Sequence, residues 1–128
     1  MINNEDELFD YLRKTVPDLE RRGEPNDVVD FYSDKKRSLF EVKARKRHYD
    51  DLVIEKAKYY AILERAKELN YTPYYVCSSP KGVFVFNLNE VTTPEWSDKM
   101  MPKTTDFSDR RHRKKRVGYL NICSSIKI

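Results

Sequence analysis

Apolar positions at helical spacing mark the first predicted element of the chain. Asn4 is a favourable N-cap, with Glu7 three residues later, and apolar side chains follow at positions 8, 11 and 12. Side chains spaced in this way gather on one face of a helix. The pattern therefore predicts a helix over residues 4–14.

Two pairs of short segments rich in β-branched and aromatic residues predict strands. DVVDFY at 27–32 and SLFEVKA at 38–44 are joined by a polar turn and are expected to pair as a hairpin. TPYYVCS at 72–78 and GVFVFNL at 82–88 form the second pair. The sequence therefore predicts two strand pairs.

The segments between and after these pairs complete the predicted order. Residues 51–69 have a helical period and predict a long helix. Residues 89–109 contain two prolines and are expected to be irregular, and VGYLNICSSIKI at 117–128 predicts a closing strand. The order α-β-β-α-β-β-loop-β indicates a mixed α/β fold.

The 128 residues fit one predicted domain, 1–128, with a core at about 4–88 and a basic loop and closing strand at about 89–128. Apolar residues make up 39% and charged residues 36%, which excludes a disordered chain. No apolar run reaches the roughly 18 residues that a membrane span needs. The acidic start, MINNEDELFDYL, lacks a signal core, so a cytoplasmic location without membrane association is expected.

Cys77 and Cys123 lie in apolar, strand-like segments. Without a secretory context, they are expected to be reduced core residues rather than a disulfide.

The net charge of +4 comes from one segment. Residues 110–116 read RRHRKKR, and the other 19 basic residues nearly balance the 21 acidic ones. Such a local patch is expected on a surface that meets nucleic-acid phosphates, the alternative being a solvated loop or a targeting signal. Lys56 and Lys58 are expected to be solvated, the alternative being contact with a phosphate. The predicted nucleic-acid contacts are Arg110, Arg111, Arg113, Lys114, Lys115 and Arg116, with Arg45, Lys46 and Arg47 after the strand at 38–44.

The candidate catalytic side chains include Glu41 and Lys43, in the predicted strand at 38–44. Their side chains share one face of a strand, because alternate residues point the same way. Asp27 and Asp30 on the facing strand could each bring a second carboxylate, although a regular strand places them on opposite faces. Two carboxylates are natural ligands of Mg²⁺. The alternative is a solvated Glu-Lys pair on an exposed sheet face.

The pattern GEPNDVVDF…SLFEVK resembles the PD-(D/E)XK nuclease superfamily, which includes many restriction enzymes and Holliday-junction resolvases. The family signature is an acid at the start of one strand and (Asp/Glu)-x-Lys on the next. The resemblance assigns Asp27 to the first place, and Glu41 with Lys43 to the second. Because Asn26 separates Pro25 from that acid, Asp30 is a rival for its role.

The resemblance implies a restriction-endonuclease-like core, a mixed sheet flanked by helices. It implies a Mg²⁺ ion, with Mn²⁺ as the alternative, held by Asp27 or Asp30, by Glu41 and by the Val42 carbonyl. Lys43 would position the attacking water or stabilise charge on the phosphate. The implied reaction is hydrolysis of phosphodiester bonds, in DNA rather than RNA, by a protein that could act as a homodimer. The alternatives are an inactive nucleic-acid-binding module and a protein-protein adaptor.

Glu55 falls in the middle of the apolar stripe of the predicted helix 51–69. A buried carboxylate needs a partner, so Glu55 is predicted beside the active site, as an additional acid or an anchor for Lys43. The alternative is an exposed first-turn acid favoured by the helix dipole. Glu5 and Glu20 are further candidate acids, and the alternative for both is a surface or capping role. The stripe comprises Leu52, Tyr59, Ile62, Leu63, Ala66 and Leu69.

Overall fold

The computed structural model describes residues 1–22, 27–102 and 112–128. Its elements follow in chain order: α1 Glu5–Arg13, β1 Phe31–Ser33, β2 Ser38–Ala44, β3 Asp51–Glu55, α2 Lys56–Leu69, β4 Thr72–Ser79, β5 Gly82–Asn87, β6 Ser97–Pro102, β7 His112–Asn121, a 3₁₀ turn Ile122–Ser124, and β8 Ile126–Lys127. No helix among the described residues is long and apolar enough to cross a membrane.

A five-stranded sheet in the order β1-β2-β4-β5-β8 forms the centre of the fold. Strands β2 and β4 are parallel, whereas the other neighbours are antiparallel. A parallel pair needs a long crossover, and α2 lies in the segment that provides it. The hairpins at 31–44 and 72–87 confirm the two predicted strand pairs, although β1 begins four residues later than expected.

The two helices pack on the two faces of this sheet. Leu8 of α1 joins a buried cluster with Phe40 and Val42 of β2, and Asn4 caps the helix by accepting a hydrogen bond from the Glu7 backbone amide at 2.8 Å. On the other face, Ile62 of α2 belongs to the cluster that contains Leu39. The predicted α/β class, a mixed sheet flanked by helices, is therefore confirmed.

A second sheet of three strands, in the order β3-β7-β6, corrects two sequence predictions. Residues 51–55 form a strand rather than the first turn and a half of the helix, because they pair with residues 117–121 of β7. Residues 97–102, expected to be irregular, form β6 against the basic part of β7. Three consecutive apolar residues at 52–54 fit either period, so cross-strand pairing decides their conformation.

Close packing against β7 requires a glycine at position 118. A Cβ atom there would lie 2.4 Å from Cβ of Pro94 and 3.0 Å from the Trp96 ring. Any larger residue would push this segment away from the second sheet.

The two cysteines differ in burial. Cys123 lies in the 3₁₀ turn and is exposed, whereas Cys77 is buried; both thiols are free. The predicted burial of Cys123 is wrong because the closing segment is not a continuous strand.

Candidate active site

Glu41 is a carboxylate buried inside the fold, not a solvated group on an open sheet face. It lies in the middle of β2 with 3% of its surface exposed. The Nζ atom of Lys58, on α2, lies 2.8 Å from its Oε2 atom. The two groups therefore form an ion pair. The side chain therefore faces α2 from the sheet.

Asp30 is the second acid at this position. The backbone amide of Val42 donates a hydrogen bond to Asp30 Oδ2 at 2.9 Å, which fixes the Asp30 carboxylate beside β2. Burial and the adjacent Asp30 carboxylate together raise the pKa of Glu41 to about 8, and the Lys58 ammonium lowers it by less. Two carboxyl groups thus lie side by side at this partly buried position.

Asp27 has a different set of partners. Its Oδ1 atom accepts a hydrogen bond from the Tyr32 hydroxyl at 2.6 Å, and Arg65 of α2 lies 3.5 Å from the same atom. Burial and the Asp27 carboxylate raise the pKa of Tyr32 to about 12. The structure therefore brings Asp30, and not Asp27, against Glu41. The reason is local: β1 begins at Phe31, so strand alternation does not govern residues 27–30.

Lys43 and Glu5 complete this end of the main sheet. Lys43 is half-buried and, two residues after Glu41, shares its face of β2, as predicted; it lies directly across from Cys77 in β4. The pKa of Glu5, in the first turn of α1, is raised by partial desolvation and by Asp30, which together outweigh the lowering by Lys43. The first helix thus brings a third acid within electrostatic range. Glu20 lies elsewhere, paired with Arg22 at 3.3 Å.

Glu55 does not occupy the predicted position. It is the last residue of β3 and the N-cap of α2, rather than a core-facing residue within a helix. Its Oε1 atom lies 3.2 Å from Nζ of Lys115, and its side chain is 42% exposed. The prediction that Glu55 anchors Lys43 has no contact to support it among the described residues. It assumed a helical register that begins five residues too early.

The basic segment belongs largely to a strand and not to a loop. Arg113, Lys114 and Arg116 are exposed on β7. Lys115 is mostly buried at 13% side-chain exposure, because it pairs with Glu55. The other predicted contacts are placed as follows: Arg45 is half-buried near Tyr75 and Cys77, Lys46 and Arg47 are exposed after β2, and Arg110 and Arg111 lie outside the described residues.

The carboxylate pair offers oxygen ligands of the kind that Mg²⁺ prefers. Within the described ranges, no group of three or more His, Cys, Asp or Glu side chains is close enough together to hold a metal. Mg²⁺ is nevertheless commonly bound by one or two carboxylates and several waters. The Val42 carbonyl points to the side of β2 that carries Asp30, since its own N–H does. Asp30, Glu41 and this carbonyl are therefore the candidate ligands for such an ion.

Lys58 is a site residue that the sequence pattern did not reveal. The prediction that it is solvated is wrong, because it contacts Glu41 and also donates a hydrogen bond to the Val28 carbonyl at 3.0 Å. A signal for this contact exists in principle, because a buried carboxylate on β2 requires a cation and α2 offers lysines near its start. The predicted helix placed Glu55 on its apolar face, so the sequence analysis sought a partner for Glu55 and not for Glu41.

No protein-family model matches the sequence, and no curated protein is detectably similar to it. Among solved structures, the chain is similar to Hjc from Archaeoglobus fulgidus, a Holliday junction resolvase from an archaeal hyperthermophile, with a TM-score of 0.60. The alignment covers 97% of this chain and 88% of that one. The fold is restriction-endonuclease-like. Sequence identity is 14%, so the likeness concerns the fold and leaves the chemistry to be argued from this chain's residues.

Proposed function

We propose that this protein is a Mg²⁺-dependent nuclease that hydrolyses phosphodiester bonds in DNA. The observation that carries the proposal is the buried Glu41 carboxyl group beside that of Asp30, with Lys43 on the same strand face as Glu41. Such a pair is costly to bury without a cation. The restriction-endonuclease-like fold, shared with a resolvase, supports the choice of reaction by analogy.

Each residue has a role that follows from its position. Asp30, Glu41 and the Val42 carbonyl would hold the ion, which when bound supplies Lewis-acid chemistry to the phosphodiester and to the attacking water. The Lys43 ammonium would donate hydrogen bonds to that water or to a phosphate oxygen that gains negative charge. Asp27 would act at a distance, by fixing Tyr32 and Arg65 beside the 27–30 segment.

The proposal is tested by incubating wild type, Glu41→Ala and Lys43→Ala with linear, branched and single-stranded DNA, with and without Mg²⁺. Wild type should cut at least one substrate only when Mg²⁺ is present. Both variants should lose cutting by about 100-fold or more, because one lacks a ligand of the ion and the other lacks the ammonium that stabilises the developing charge. Absence of cutting by wild type, or equal cutting by the variants, would show that the catalytic assignment is wrong.

The exposed cations of β7 are expected to contact DNA phosphates. Replacing Arg113 and Lys114 with alanine should weaken DNA binding and reduce the salt slope of the binding constant by roughly one for each phosphate that the variant no longer neutralises. The matched control replaces Lys35 and Lys36, two exposed lysines of the β1–β2 turn at the opposite end of β2 from Lys43. Fluorescence anisotropy across a salt series measures both. An equal change in the two double variants would contradict a specific role for β7.

A further inference from the structure

Lys58 is the cation in contact with the carboxylate pair. Its Nζ atom lies 2.8 Å from Glu41 Oε2 and 3.0 Å from the Val28 carbonyl oxygen. The ammonium is therefore fixed between α2, β2 and the segment that leads into Asp30. Among the described residues, no other cation pairs with Glu41.

We propose that Lys58 is a built-in competitor for the divalent ion: its ammonium occupies the cation position at Glu41 and must leave before Glu41 and Asp30 can share a metal. This inference rests on the proposed function, because it concerns the same carboxylate pair. An ammonium has only donors to offer and interacts with the carboxylate lone pairs that a metal would use. The two cations therefore exclude each other at Oε2.

The position of Lys58 allows such an exchange. Its side chain is 38% exposed, while that of Glu41 is 4% exposed, so the lysine lies at the boundary between the buried pair and solvent. A lysine is a compact charge on a flexible four-carbon stem, and it can re-enter water without unfolding its helix.

The test measures Mn²⁺ binding directly, by calorimetry or by electron paramagnetic resonance, with the full chain and no DNA. Lys58→Met should bind Mn²⁺ about tenfold more tightly than wild type, or better, because a competing charge beside the ligands has been removed. Lys56→Met is the matched control, since it removes the same charge two residues away on α2. It should change the dissociation constant by less than about threefold.

Loss of Lys58 leaves Glu41 without its cation, so folding must be followed in the same samples. Lys58→Met should melt at a lower temperature than wild type without metal, and Mn²⁺ should raise its melting temperature more than that of wild type. Lys58→Gln keeps a hydrogen-bond donor without the charge and should show the same gain in Mn²⁺ affinity. The Mn²⁺ affinity of Lys58→Gln therefore tests the proposal if Lys58→Met does not fold.

The outcomes separate this inference from the proposed function. Tighter Mn²⁺ binding by both Lys58 variants, with Lys56→Met near wild type, supports the competitor role. Equal or weaker binding by the Lys58 variants overturns it, even when wild type cuts DNA with Mg²⁺ and the nuclease proposal stands. Absence of saturable Mn²⁺ binding in every variant, together with absence of cutting by wild type, overturns both.

Discussion

Replacing Asp30 with asparagine is expected to reduce Mg²⁺-dependent DNA cleavage by about a thousandfold, whereas Asp27→Asn should leave it within a few-fold of wild type. The first change removes a carboxylate that lies against Glu41. A metal's Lewis-acid role is worth several kcal/mol, and each 1.4 kcal/mol corresponds to about tenfold in rate. The second change alters a carboxylate already engaged with Tyr32 and Arg65. Single-turnover cleavage measures both.

Asp27→Asn has its own expected signature, which makes it an informative control. The Tyr32 hydroxyl and the Arg65 guanidinium would lose a charged partner, so the free energy of unfolding should fall by roughly 1–3 kcal/mol. A stability loss with nearly intact cleavage indicates a structural acid. The opposite pattern, with cleavage abolished by Asp27→Asn and kept by Asp30→Asn, would restore the assignment favoured by the sequence motif.

Raising the pH is expected to destabilise the metal-free wild type relative to Glu41→Gln. The pKa of Glu41 is about 8 in the folded protein, whereas the ordinary value is 4.5. The folded state therefore holds a proton that the unfolded state has released, and stability falls as pH rises from about 4.5 to about 8. Each pKa unit corresponds to about 1.4 kcal/mol, so the total loss is on the order of a few kcal/mol.

This expectation is checked by urea unfolding of both proteins in chelator, at a series of pH values from about 5 to about 9. The stability of Glu41→Gln relative to wild type should increase over this range and level off above about pH 8. Glu64→Gln, which changes an exposed acid of α2, is the control and should follow wild type. A constant difference between wild type and Glu41→Gln would mean that Glu41 is ionised throughout, and its described burial would be contradicted.

Local patterns were sufficient to predict most of the main sheet. The β-branched and aromatic residues of 38–44 predicted β2, strand alternation placed Glu41 and Lys43 on one face, and the capping residues of α1 predicted its start. The resemblance to the PD-(D/E)XK pattern predicted the restriction-endonuclease-like fold. The homodimer, the ion and the cytoplasmic location stay predictions.

Tertiary contacts determined the features that the sequence did not reveal. Three apolar residues at 52–54 satisfy both the helical and the strand period, and only pairing with β7 makes them a strand. The choice between Asp27 and Asp30 depends on a short irregular segment ahead of β1, where neither period applies. The Lys58–Glu41 contact joins two residues that are 17 positions apart in the chain and has no local signature.

The most direct measurement of the central claim is the number of Mn²⁺ ions bound by wild type, Asp30→Asn, Glu41→Gln and Asp27→Asn, determined by electron paramagnetic resonance. A saturable site in wild type and Asp27→Asn, lost or greatly weakened in Asp30→Asn and Glu41→Gln, is the predicted result. Equal binding by all four proteins, or binding lost only in Asp27→Asn, would contradict a cation shared by Asp30 and Glu41.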